Sequence, residues 1–196
     1  EINNFKNKYN GPFIITDKID GLSSLYDTKN QRLYTRGNGS EGTDISNILK
    51  YLDIPKSNNI KYIRGELVLP NKVFNGKYSE TYKNARNLVA GAIGSKSINI
   101  PVLKDIKFYP YYTYEKCSTK DQLKHLSTEK FNSLWYTLLE KNEFTIEKCK
   151  EILLQRKGEA EYEIDGLVIT AEDQTNYSFN EIPIVGQNPK HSIAFK

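Results

Sequence analysis

The chain has 196 residues, 38% hydrophobic and 27% charged, with a formal net charge of +4. That length supports one sizeable core, or one domain with two lobes, and the composition excludes a disordered chain. No apolar run approaches the roughly 20 residues of a membrane helix, no basic-then-apolar leader opens the chain, and no dense basic block accompanies the small positive charge, which reads as an ordinary Lys-rich surface with at most a mild bias toward phosphate-rich partners.

Residues 1–10 are polar and read as a leading helix or an approach segment, closed by a break at Asn10-Gly11-Pro12. Phe13-Ile14-Ile15-Thr16 reads as a buried strand that runs into Lys18-Ile19-Asp20-Gly21. Residues 22–26 and 31–36 form the strands of a hairpin, with residues 27–30 as its turn. A Gly-rich loop follows at residues 37–42. Ile45, Ile48, Leu49 and Leu52 give residues 44–52 helical spacing. Residues 60–69 read as a strand carrying Arg64-Gly65-Glu66, residues 84–93 as a helix of small residues, and residues 106–114 as an aromatic strand. Residues 127–141 and 145–156 are expected to be two amphipathic helices, from Leu134, Trp135, Leu138 and Leu139, then Ile146, Ile152, Leu153 and Leu154. Residues 163–170 form a strand with an internal Asp165-Gly166, and Ser192-Ile193-Ala194-Phe195-Lys196 ends the chain as another. Strands dominate, so the expected fold is α+β with mixed or antiparallel sheets. Cys117 and Cys149 are far apart and fit no zinc spacing, which suits reduced thiols in an intracellular setting. No Met occurs anywhere, so the chain reads as a piece of something longer.

Lys18 and Asp20 carry the first chemical signal. Residues two apart on a strand face one side, so the pair is either a partly buried ion pair or the end of a reactive strand. The chemistry that wants this arrangement is nucleotidyl transfer, in which a lysine amine attacks a nucleotide α-phosphate and forms a phosphoramidate. The attacking amine must be neutral; cationic neighbours and burial favour that state, whereas a bare carboxylate such as Asp20 opposes it. Arg36, Arg86, Lys190 and Lys196 are the cations available, and Glu66 and Asp165, each beside a glycine on a separate strand, are carboxylates of the kind that hold Mg²⁺ together with phosphate oxygens.

Taken in order, these segments resemble the adenylation domain of the NAD-dependent DNA ligases. Thr16-Asp17-Lys18-Ile19-Asp20-Gly21-Leu22-Ser23 is similar to the lysine-nucleophile motif of covalent nucleotidyltransferases, with Leu22-Ser23 in the manner of the NAD-dependent branch. Thr35-Arg36-Gly37-Asn38-Gly39 with Gly42-Thr43-Asp44 resembles "TRGDG…GED", and Arg64-Gly65-Glu66 looks like "RGE". Asn84-Ala85-Arg86-Asn87 with Ala90-Gly91 resembles "NPRN…AG", and residues 108–111 look like the family's aromatic strand. Glu163-Ile164-Asp165-Gly166-Leu167-Val168-Ile169 is close to "EIDGVVI", and Pro189-Lys190-His191-Ser192-Ile193-Ala194-Phe195-Lys196 is similar to "PRWAIAFK".

The resemblance implies a nucleotidyltransferase, ATP-grasp-like α+β fold with antiparallel sheets enclosing a nucleotide cleft, over residues 1–196. It implies that Lys18 becomes AMP-lysine, with NAD as the AMP donor and Mg²⁺ as the metal. Ile19, Asp20, Arg36, Glu66, Arg86, Tyr111, Asp165 and Lys196 join Lys18 in the cofactor-binding set. Asp20 and Arg36 contact the ribose or reacting phosphate, Glu66 and Asp165 serve metal and ribose, Tyr111 stacks on adenine, and Arg86 and Lys196 hold phosphate. The implied enzyme is a monomer acting on nicked double-stranded DNA, which it touches mainly through backbone phosphates. AMP passes from Lys18 to the nick 5′-phosphate and is displaced by the 3′-hydroxyl. The domain that recognises nicotinamide mononucleotide and the later DNA-binding modules have no place in this chain, so the fragment is expected to bind adenine nucleotides and react poorly with NAD alone.

Four positions depart from the family pattern. Thr16 stands where a Glu usually reads adenine, Thr170 where a Lys follows "VVI", Gly94 where a second Arg ends the small-residue helix, and His191 where a Trp precedes "AIAFK". His191 is expected to be a structural exchange, and Lys96 or Lys190 to replace the missing cation. Two alternatives stand beside the main reading: an ATP- or GTP-using relative of the RNA ligase or capping type, and a catalytically impaired DNA-binding paralogue.

Overall fold

The computed structural model describes residues 1–37, 41–172 and 191–196. Asn38, Gly39 and Ser40 of the Gly-rich loop, and Pro189 and Lys190, lie outside the described residues. In chain order the elements are α1 (Ile2–Lys8), β1 (Phe13–Ile19), β2 (Leu22–Asp27), β3 (Arg32–Thr35), a 3-10 helix (Ser46–Tyr51), β4 (Tyr62–Val68), α2 (Asn71–Lys77), α3 (Ala85–Gly94), α4 (Ile100–Asp105), β5 (Lys107–Tyr112), α5 (Thr119–Thr128), β6 (Tyr136–Leu139), α6 (Ile146–Glu159), β7 (Ile164–Ala171) and β8 (Ser192–Phe195). Two four-stranded sheets result, ordered β6-β1-β7-β8 and β3-β2-β4-β5. Among the described residues their strand pairings are all antiparallel.

Alternation along β1 organises the first sheet. Phe13 and Ile15 enter an apolar cluster with Ile2 and Phe5 of α1 and Cys149 and Ile152 of α6, whereas Ile14 enters the larger cluster that holds the second sheet. Asp17 continues the odd-numbered face, and Thr16 and Lys18 the even-numbered one, as the period-2 geometry of a strand requires. A register shift between Lys18 and Ile19 then breaks the alternation, and Ile19 joins Ile14 in the larger cluster. The chain crosses to the second sheet at Gly21. A Cβ there would collide with the Val68 side chain and lie 2.7 Å from the Leu67 carbonyl oxygen, so glycine lets the chain pass this close to β4 as it enters the second sheet.

Most predicted elements are present, with one correction. Residues 127–141 are not a helix. The helix α5 ends at Thr128, and Tyr136–Leu139 is an edge strand pairing with Phe13 to Thr16 of β1. The apolar spacing of Leu134, Trp135, Leu138 and Leu139 fits a helix locally, but the open edge of β1 takes residues 136–139 as a ladder partner, and tertiary pairing overrides local periodicity. The helix predicted at 145–156 is α6, started by Thr145, whose side chain accepts from the Lys148 N–H. Cys149 is buried and Cys117 partly exposed, and both are free thiols.

Candidate active site

The two sheets face each other across a cleft of about 240 Å³. Lys18 enters it from β1, Glu66 from β4, Tyr111 from β5, and Arg36 from the residue after β3; Ile19 also lines it. Antiparallel pairing brings these distant segments together. Lys18 lies opposite Gly166 on β7, and Ser23 lies opposite Glu66 between β2 and β4.

Lys18 Nζ donates to Asp165 Oδ1 at 2.7 Å, and Lys196 Nζ lies 2.9 Å from Asp165 Oδ2. One carboxylate thus bridges two ammonium groups. Gly166 makes the arrangement possible, because a Cβ there would strike the Phe195 carbonyl oxygen and approach Lys196 Cγ to 3.2 Å. Burial pushes the Asp165 carboxyl up, but Lys18 and Lys196 outweigh it and hold the group below the usual carboxylate range. Glu66 behaves in the opposite way. Burial raises its carboxyl to about 7, against a Ser23 hydroxyl hydrogen bond and the charges of Lys18, Arg64 and Arg86. Tyr111 has its hydroxyl 3.2 Å from Ser23 Oγ, and the Arg64 guanidinium sits 6.0 Å from the centre of its ring.

Asp20 is not the carboxylate beside Lys18. After the register shift its Oδ1 accepts from Arg86 Nη1 at 3.1 Å, and neither residue lines the cleft. Arg86 occupies the first turn of α3, which Asn84 caps by accepting from the Asn87 N–H. The pairing answers one difficulty raised by the sequence, since Asp20 has a cation of its own, and moves that difficulty to Asp165.

The four departures from the family pattern separate. Thr16, Thr170 and His191 all line the cleft, on the first sheet or beside it. Gly94 is exposed with open space around it. Lys96 does not line the cleft and Lys190 lies outside the described residues; Lys196, also off the cleft lining, shares the Asp165 carboxylate with Lys18. His191 is buried, and burial pushes its imidazole below the usual histidine range. Thr170 Oγ1 and Ser192 Oγ share a 2.7 Å hydrogen bond.

Two groups escaped the sequence reading. Arg64 is buried and lines the cleft; its parity with Glu66 on β4 was the available signal. Asp17, on the opposite face of β1, accepts from Arg156 Nε and Nη2 at 2.9 and 2.8 Å and from the Tyr162 hydroxyl at 2.8 Å. No local pattern links residues so far apart in the chain.

The arrangement has the parts for transfer of an anionic group: a primary amine, two arginines, the Glu66 carboxylate, hydroxyls and an aromatic ring line the cleft, and Asp165 and Lys196, which do not line it, form the ion-paired cluster with the amine. Among the described residues, no group of three His, Cys, Asp or Glu side chains forms a ready-made metal cluster. Glu66 and Asp165 remain as separate oxygen donors, which suits Mg²⁺, an ion commonly held by one or two carboxylates plus substrate phosphates. No helix of the described residues is long and apolar enough to cross a membrane.

The family model described as NAD-dependent DNA ligase adenylation domain matches residues 1–196. A DNA ligase of Acanthamoeba polyphaga mimivirus is 35% identical, covering 100% of this chain and 31% of the viral protein. A putative DNA ligase of Invertebrate iridescent virus 6 is 35% identical over 94% of this chain and 31% of its own length. A DNA ligase of Mycoplasma genitalium is 30% identical over 98% and 31%. The chain therefore spans under a third of the length of these relatives. A solved structure of the Lig E DNA ligases superposes with a TM-score of 0.58 at 17% identity, over 96% of this chain and 63% of that one, a likeness of fold.

Proposed function

This chain belongs to the NAD-dependent DNA ligase adenylation domain family, and from that premise we propose that Lys18 takes AMP from NAD as the first step of nick sealing. The Lys18 nitrogen bonds to the α-phosphorus of NAD while the bond from that phosphorus to the nicotinamide mononucleotide oxygen breaks. The products are a phosphoramidate on Lys18 and free nicotinamide mononucleotide. The AMP then passes to the 5′-phosphate of a nick in double-stranded DNA, and the 3′-hydroxyl displaces it.

The observation that carries this reading is the position of Lys18: its amine lines the cleft and is paired with one carboxylate that Lys196 also holds. An ammonium in an ion pair is not a nucleophile, so it must lose its proton before attack. Lys196 shares the Asp165 carboxylate, so Lys18 is not its sole partner. Arg36 approaches the reacting phosphate from the facing sheet, and the Asp20–Arg86 pair lies beyond the cleft lining, with Arg86 able to hold phosphate. Cations so placed stabilise charge that builds on a phosphoryl group. Tyr111 supplies a face for stacking the base, and Ile19 adds apolar surface. Glu66 and Asp165 would hold Mg²⁺ with the nucleotide phosphates, and the ion would neutralise charge on the phosphoryl oxygens.

The test uses the full-length protein that carries this chain. Incubation with NAD should add one AMP to the protein and release nicotinamide mononucleotide. Nicked duplex should then discharge the adduct and yield sealed strand and free AMP. An adduct formed from ATP and not from NAD would replace the donor in this reading. An unmodified protein with either donor, still bound to nicks, would favour a DNA-binding role without catalysis.

A further inference from the structure

The first sheet's wall of the cleft changes character along its length. Lys18 stands on it, with its amine paired to Asp165 and through that carboxylate to Lys196, neither of which lines the cleft. Two residues along β1, roughly 7 Å away, stands Thr16, and β7 runs antiparallel to β1 with Val168 opposite Thr16 and Thr170 opposite Ile14. Beyond Lys18, the polar side chains that this wall gives to the cleft are Thr16, Thr170, Ser192 and His191. Asp17 borders the cleft as well, but Arg156 and Tyr162 hold its carboxylate.

The three hydroxyls among them can each serve as donor or acceptor. Thr16 Oγ1 reaches the Val168 carbonyl oxygen at only 3.5 Å, a weak hold that leaves the hydroxyl easily turned. In the Thr170–Ser192 pair either hydroxyl can be the donor. Adenine presents an amine donor at position 6 beside an acceptor at N1, and hypoxanthine presents the reverse, an oxo acceptor beside N1–H. A fixed carboxylate accepts only and rejects the reversed pattern, whereas a hydroxyl rotates to answer either.

We infer that the Thr16, Thr170 and Ser192 hydroxyls read the nucleobase without fixed polarity, so that this site accepts 6-oxopurine dinucleotides as well as NAD. The inference rests on the proposal that Lys18 takes up a nucleotide in this cleft. The chemistry is the same for both donors: the Lys18 nitrogen bonds to the α-phosphorus, the oxygen of nicotinamide mononucleotide leaves with its electron pair, and the amine proton goes to solvent.

The experiment measures adduct formation on the full-length protein with NAD and with nicotinamide hypoxanthine dinucleotide, each alone. The two rates should agree within about tenfold, the range of one ordinary hydrogen bond. Thr16→Glu should widen the preference for NAD by about tenfold or more, because it places an acceptor against the oxo group. Thr16→Val, which keeps the size of the side chain, should slow both donors alike. A hypoxanthine reaction slower by about a hundredfold or more, with NAD reacting normally, would overturn the inference and leave the lysine-transfer reading intact. Slowing of one donor alone in Thr16→Val would also contradict it. Failure of both donors to modify the protein would remove the underlying reading and this inference with it.

Discussion

Asp17 and Lys18 are adjacent on β1, and each makes an ion pair with a residue more than a hundred positions away, yet the two pairs are built for opposite ends. The side chains of Asp17 and Arg156 are 0% and 9% exposed. Both carboxylate oxygens are taken by the guanidinium fork, Tyr162 adds a third donor, and Trp135 covers the guanidinium at 4.6 Å. The side chains of Lys18 and Asp165 are 32% and 31% exposed, Lys18 makes one contact to Asp165, and Lys196 competes for the same carboxylate. The first pair is fully satisfied and cannot change partners without opening α6 from the sheet. The second is wet and shared, and its partners can be exchanged for an incoming phosphate. Strand alternation lets one segment carry both, with the fixed pair anchoring the backbone from which the exchangeable one projects.

Replacing Lys18 breaks the comparison on its reactive side and should have the largest effect. Lys18→Ala should give no protein–AMP adduct by intact mass, while its stability stays within about 0.5 kcal/mol of the parent, as for surface substitutions. Replacing Arg156 breaks the other side. Arg156→Ala leaves a buried carboxylate uncompensated and should cost about 3–5 kcal/mol in denaturant unfolding, with a smaller loss when Asp17→Leu accompanies it. A cost below about 1 kcal/mol, typical of an exposed pair, would show that the two pairs are alike.

Asp165→Asn sharpens the contrast. It should slow adduct formation by about a hundredfold, because the carboxylate that would hold Mg²⁺ beside the nucleotide phosphates is gone, with little change in unfolding. The smallest effect belongs to Glu66 and appears as pH dependence. Its folded carboxyl titrates at about 7 against 4.5 in the unfolded chain, so the folded state binds more protons between those values and stability falls as pH rises through them. Glu66→Gln, which mimics the protonated form, should be more stable than the parent by about 2 kcal/mol at pH 8, the full shift being reduced by nearby solvent. The two proteins should converge near pH 4, as thermal unfolding across the pH range would show.

What the sequence made legible was local. The strand that starts at Phe13, the hairpin of β2 and β3, and the helix over residues 145–156 each depend on neighbours within a turn or a pleat. The sheets proved antiparallel, and the resemblance to the NAD-dependent ligases holds over the whole chain. The reading failed where distant strands decide. Residues 136–139 pair with β1 instead of continuing a helix, because an open strand edge competes with periodicity. The side-by-side placement of Lys18 and Asp20 failed for another reason, a register shift of one residue that strict alternation cannot foresee. Asp165 as the partner of Lys18, and Arg156 as the partner of Asp17, follow only from the fold, since their separations of 147 and 139 residues leave no periodic trace. Thr16 and Thr170 were visible as departures from a family pattern; that both line one wall of the cleft became visible in three dimensions.

The most direct measurement is the location of the adduct. The full-length protein treated with NAD, digested and fragmented by mass spectrometry, should carry a single AMP on the side chain of Lys18, with the acid-labile bond of a phosphoramidate. An AMP on any other residue, with Lys18 recovered unmodified from the same digest, would contradict the assignment of this amine as the nucleophile.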